Sequence, residues 1–173
     1  MTVRLASLVL IGGGAIVGGC AGGFGGQAVP YGMIAVKMER PLTIPAGRAH
    51  TKFQGGRQVR AVDRYSPWCE LEIETVSEVP QLVEPEPLAV VRVTHAFIKD
   101  YNTRMPALLG GLSCDDLVFQ ETTWWFDSRS VYKSIYLRCF APYTNCIFGP
   151  PLSPEQMQNV VGNALSIEVN DQG

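Results

Sequence analysis

Beyond residue 33, apolar and polar side chains alternate along most of the chain, and a period of two is the mark of a β-strand with one face buried. Ile34, Val36 and Met38 alternate with Lys37 and Glu39, which predicts a first strand. The punctuation that follows, Pro41, Pro45 and Gly47, suits a strand at a sheet edge. Segments 48–54 and 57–63 flank Gly55 and Gly56, a dipeptide free to take the positive φ angles of a two-residue hairpin turn. In the strand predicted over 69–76, Cys69, Leu71 and Ile73 fall on one face and Glu70, Glu72 and Glu74 on the other. Pro80, Pro85 and Pro87 then make 79–87 an extended surface loop, because proline neither continues a helix nor donates to a central ladder. Three further strands are predicted over 88–97, 119–127 and 131–140, the last two joined tightly enough for a hairpin, while 105–114 carries no period and reads as a loop or short helical turn.

One segment has the helical period. Ser153 caps it, Pro154 follows at the first helical position, Gln156 stands three after the cap, and Met157, Val160, Val161 and Leu165 form one stripe, predicting a helix over 154–164 and a short strand over 165–169. The expected fold class is mainly β: an antiparallel sandwich or small barrel-like sheet of six to eight strands with one C-terminal helix, all within one domain over 33–173.

The first 26 residues have a different character, holding nine of the 18 glycines. After Arg4, residues 5–17 form an uncharged apolar run shorter than the roughly 20 residues that span a bilayer as a helix, the pattern of a signal peptide. The string Val17-Gly18-Gly19-Cys20 resembles the lipobox of bacterial lipoproteins, with Val17 where that family most often has Leu. The resemblance implies that residues 1–19 are removed and that Cys20 is acylated and becomes the mature N-terminus. Two or three acyl chains, at about 0.8 kcal/mol per buried methylene, make a firm anchor. Ala21 rather than Asp after that cysteine implies the outer membrane, and 20–32 is then a flexible tether.

Composition narrows the partners. Among 173 residues, 14 Lys and Arg against 16 Asp and Glu give a net charge of −2, without the cationic excess that neutralising a phosphate backbone requires. Nucleic acid is therefore not expected. Five cysteines are odd for an exported chain, but with Cys20 set aside, Cys69, Cys114, Cys139 and Cys146 remain, an even set fit for disulfides. Cys69 and Cys139 both point inward on strands, which favours pairing 69 with 139 and 114 with 146; a bridge from Cys139 to Cys146 across the Pro142 loop is the competing pattern. With no CxxC spacing and only His50 and His95 as histidines, neither a metal nor another cofactor is expected.

Candidate chemistry is sparse. The chain past residue 33 has no GxSxG, HExxH or phosphate-binding glycine loop, so no enzyme is expected, the alternative being a periplasmic hydrolase whose site assembles only in space. His95 alternates with Val91, Val93 and Phe97 and reads as a hydrogen-bonded core histidine; His50 reads as solvated. Arg48, Lys52, Arg57, Arg60 and Arg64 face only Asp63 between 48 and 64, whereas six glutamates between 70 and 86 face no base. Opposite charges on neighbouring strands can pair across the sheet, or Arg57 and Arg60 can serve anionic headgroups or an acidic partner. Trp124 and Trp125 must point to opposite faces, so one indole is a candidate contact for a glycan or a protein.

The stretch Tyr65-x-Pro67-x-Cys69-x-Leu71-Glu72, with Leu137-Arg138-Cys139 followed by a proline-rich link into a capped helix, resembles uncharacterised proteobacterial envelope lipoproteins. Its layout is that of a small secretion-system lipoprotein or pilotin. The resemblance implies a non-enzymatic binding or assembly accessory, held to the outer membrane by its lipid anchor and facing the periplasm, with an envelope protein or glycan as partner.

Overall fold

The computed structural model describes residues 34–100, 105–106, 118–127, 134–142 and 150–170. The signal-peptide and tether assignments, with Cys20, and the cysteines Cys114 and Cys146 lie outside the described residues. The described chain is mainly β, in the order β1 (Ile34–Met38), β2 (Leu42–Ile44), β3 (His50–Gln54), β4 (Arg57–Val59), β5 (Trp68–Ile73), β6 (Gln81–Val83), β7 (Pro87–Asp100), β8 (Met105–Pro106), β9 (Phe119–Asp127), β10 (Ile135–Pro142), α1 (Pro154–Val161), a 3-10 turn over Gly162–Ala164, and β11 (Leu165–Val169). The large sheet runs β11-β1-β7-β9-β10-β5-β3-β4, with β8 on the end of β7, and β2 pairs with β6 as a separate ribbon.

The sheet is antiparallel and curls into a half-barrel, the barrel-like alternative of the two architectures expected from sequence. Its inner face carries Val36, Phe53, Leu71, Trp124, Leu137 and the Cys69–Cys139 pair, all buried. A bulge in β7 between Val90 and Arg92 inserts Val91 as an extra residue, so Val90 and Val93 both face inward while Val91 is exposed. That residue breaks the strict alternation expected for 91–97.

Helix α1 fills the opening of the half-barrel. Ser153 accepts from the Gln156 backbone and Gln156 returns the bond to the Ser153 N–H, completing a capping box, and Met157, Val160 and Val161 are buried against the sheet. The helix touches both end strands, β11 and β4. On β11, the Gln158 amide donates to the Leu165 carbonyl at 3.0 Å and accepts from the Ile167 N–H at 2.7 Å, standing in for the peptide group of a missing neighbour strand. Edge groups left open would invite pairing with another chain. At the other end, the β3–β4 turn, with positive φ at Gly55 and Gly56, bonds through its Gly56 N–H to the Val160 carbonyl at 3.1 Å.

The structure corrects two expectations. Strand β1 is internal, because residues 165–169, expected as a short strand, return as β11 and cover its outer side. The 79–87 loop contains β6, which the prolines tolerate because among the described residues it pairs only with the short β2. The path of the main sheet has eight strands, within the six to eight expected, and among the described residues β2, β6 and β8 add two- and three-residue pieces too short to show a period.

Candidate functional site

On the sheet face turned away from α1, strand pairing lines polar side chains up in rows. One row crosses β3, β5, β10, β9 and β7 as His50, Glu72, Tyr136, Trp125 and Arg92; the next, two residues along, is Lys52, Glu70, Arg138, Thr123 and Thr94. Alternation alone puts these residues on one face. Strand order makes them neighbours.

The two glutamates of β5 stand between cations. Lys52 Nζ lies 3.4 Å from Glu70 Oε1. Arg138 Nη2 pairs with Glu72 Oε2, and the Tyr136 hydroxyl donates to Glu72 Oε1. Arg138 also lies 4.9 Å from the Tyr136 ring centroid. Tyr136 in turn stands 4.8 Å from Trp125, tilted, and Arg92 sits 4.3 Å over the Trp125 ring. Glu70 and Arg138 are only 4% and 2% exposed, and their pairing with Lys52 and Glu72 respectively is what permits their burial. Farther along the same face an aromatic cluster forms: Trp68 and Phe140 stack at 4.7 Å, and Phe119 meets Trp68 edge-on at 4.8 Å.

Donor atoms of His50, Glu70 and Glu72 all lie within 4.8 Å of one another, a grouping that raises the question of a metal. Both Glu72 oxygens already accept from Arg138 and Tyr136, and Lys52 stands at Glu70. A divalent cation would have to displace an ammonium and face a guanidinium, so the chemistry of the cluster is that of a charge-balanced ion-pair network.

The cross-strand pairing of charges foreseen from sequence thus holds for Lys52 and Glu70. Arg57 and Arg60 are exposed on and just beyond β4 and enter no ion pair with the glutamates of β5. His50 is half-buried beside two carboxylates rather than solvated on an open face. His95 keeps the expected hydrogen bond, Nδ1 to Thr122 Oγ1 at 3.0 Å, yet it is exposed rather than in the core, because β7 runs on past the part of the sheet that α1 covers. Partial burial holds its pKa below the ordinary histidine value. Trp124 enters the core and Trp125 the polar row, half-buried. Cys69 and Cys139 face each other in register and are bonded, which excludes the bridge from Cys139 to Cys146. Reading the sequence missed Tyr136 and Arg138 as partners of the glutamates; period two placed Arg138 outward, but nothing in it says that β10 lies beside β5.

A shallow crevice of about 480 Å³ lies between the β3–β4 turn, the 63–67 loop and α1, lined among others by Gln54, Asp63, Ser66, Leu152, Asn159 and Val160. Its wall is braced by the Gln54 amide, which donates to the Asp63 carbonyl and accepts from the Asp63 N–H, both at 2.8 Å. The Tyr65 N–H and the Ser66 hydroxyl donate to the Asp63 carboxylate and hold its pKa below the ordinary value.

Compared with known proteins, the chain matches no family model, no curated protein and no solved structure.

Proposed function

We propose that the chain is a lipid-anchored lipoprotein of the bacterial outer membrane, facing the periplasm and acting as a non-enzymatic binding or assembly accessory of the envelope. The observation that carries the reading is the buried Cys69–Cys139 disulfide: such bonds persist in oxidising compartments and are rare in the cytosol. Beside it stands the Val17-Gly18-Gly19-Cys20 string, whose chemistry is acylation of the Cys20 thiolate after export. Recognition rather than catalysis is supported by the state of the carboxylates. Glu70 and Glu72 are held by Lys52, Arg138 and Tyr136, leaving them poor candidates for general acid or base. Between the two partner classes, a protein is favoured over a stacked sugar, because the Arg92 guanidinium occupies a face of Trp125 on which a pyranose would lie.

The test is palmitate labelling and membrane fractionation of the full chain in a Gram-negative host, beside Cys20→Ser. Label and outer-membrane sedimentation in the wild type, both lost in C20S, is the expected result. Label retained by C20S, or wild-type protein without label, overturns the reading.

A further inference from the structure

We propose that the loop running from Glu74 to Glu84 is a docking surface for a cationic, apolar polypeptide segment of a partner protein. Three large aliphatic side chains are exposed within seven residues: Val76 at 65%, Val79 at 64% and Leu82 at 52%. Single exposed aliphatics are ordinary on protein surfaces. These three belong to one loop that is tied at its neck. Gln81 donates to the Thr75 carbonyl at 3.0 Å, so Val76 and Leu82 each follow directly on a residue of that joint, and Val79 lies between them. The loop is also fixed to its neighbour, the Gly47 N–H donating to the Ser77 carbonyl at 2.7 Å and Gln81 to the Arg48 carbonyl at 3.4 Å. At its tip the Val79 N–H donates to Ser77 Oγ at 3.1 Å, and Pro80 adds a fixed φ. A surface held in shape before binding loses less entropy on binding.

Charge names the partner. Glu74, Glu78 and Glu84 are exposed on this loop, and no Lys or Arg occurs between residues 65 and 91. Glu70 and Glu72 are neutralised by Lys52 and Arg138; among the described residues the cation tied to the loop is the exposed Arg48, through its carbonyl. Aliphatic side chains interspersed with carboxylates along one loop repel an anionic lipid surface and attract a segment that carries Lys or Arg among apolar residues. The occupant is therefore protein, not membrane.

The inference adds the partner's chemistry to the binding reading above but does not depend on the anchor, so the labelling experiment and the one below fail separately. The full chain, in a neutral detergent, is titrated into a fluorescent octapeptide of alternating Lys and Val, with a Glu and Val octapeptide and phosphatidylglycerol vesicles as alternatives. Saturable binding of the cationic peptide alone is expected. The triple variant Glu74→Gln, Glu78→Gln, Glu84→Gln should weaken it at least tenfold and flatten its salt dependence. The double variant Val76→Ser, Val79→Ser should weaken it at least fivefold, both at an unchanged thermal midpoint. No binding, equal binding of the acidic peptide, preference for the vesicles, or affinity unmoved in either variant overturns the proposal.

Discussion

Gly162 and Gly56 meet backbone against backbone where α1 ends and the β3–β4 hairpin turns. Gly162 holds φ +60° and ψ −137°, a region open essentially to glycine alone, and a Cβ placed on it would come 2.7 Å from the Gly56 Cα and closer still to its carbonyl. This contact ties the helix that fills the half-barrel to one end of the sheet. Gly162→Ala should therefore lower stability by about 2–4 kcal/mol, the sum of backbone strain and a clash with no flexible side chain to yield. Gly47 has a similar φ of +71° but open space around it, so Gly47→Ala should cost about 1 kcal/mol. Urea unfolding of both variants checks the order; equal losses would show that the close approach contributes nothing.

Trp124 and Trp125 give a second contrast. Trp124 is 3% exposed among the core side chains, and its replacement by Ala should cost about 3–5 kcal/mol through the cavity left behind. Trp125 is half-buried between Tyr136 and Arg92, so Trp125→Ala should cost about 1–2 kcal/mol. Thermal unfolding of the two single variants decides it, and equal large losses would make both rings core.

The ion pair between Arg138 and Glu72 should show its burial in a double-mutant cycle. Arg138→Met alone removes the guanidinium that pairs with the Glu72 carboxylate and should cost about 3 kcal/mol. Adding Glu72→Gln should recover part of that loss, because the uncompensated charge is gone. A double variant as unstable as the sum of the singles would mean the pair is not coupled.

For the staple, peptide mapping of unreduced protein should recover the Cys69 and Cys139 peptides joined. Replacing both with Ala should cost about 2–4 kcal/mol, since the bond closes a loop over a sequence separation of 70 and restricts the unfolded chain. Recovery of Cys139 joined to Cys146 would contradict the register of β5 and β10.

His95 predicts a pH dependence of definite sign. Its pKa in the fold is lowered from 6.5 by partial burial, so the unfolded chain binds the proton more readily. The contribution to stability is fully present above pH 6.5 and is lost as pH falls from there toward the lowered folded value. In His95→Gln the stability profile should be flatter across that interval, measured by unfolding midpoints from pH 7.5 to 5; an unchanged slope would remove His95 as its source.

Local rules carried much of the fold. The capping box and apolar stripe of 153–161 needed only neighbours within a turn, the Gly55–Gly56 hairpin needed only permissive φ angles, and the limits of β9 follow from a local run of β-branched and aromatic residues and those of β11 from alternation over five residues. Alternation also determined that Cys69 and Cys139 point inward and that Glu70, Glu72 and Arg138 point away from the core. Apart from the Cys69–Cys139 pairing, which the inward-facing cysteines already favoured, contacts between strands distant in sequence were decided only by the tertiary structure. Period two assigns a face to each residue but carries no information on which strand lies beside which, and Lys52, Glu70 and Arg138 form one row because β3, β5 and β10 are adjacent. The same limit explains β1: its outer side is covered by β11, more than a hundred residues away in the chain. The bulge at Val91 and the burial of His50 belong to this second kind, since one inserted residue or one neighbouring strand changes what a side chain meets without altering the pattern in which it was written.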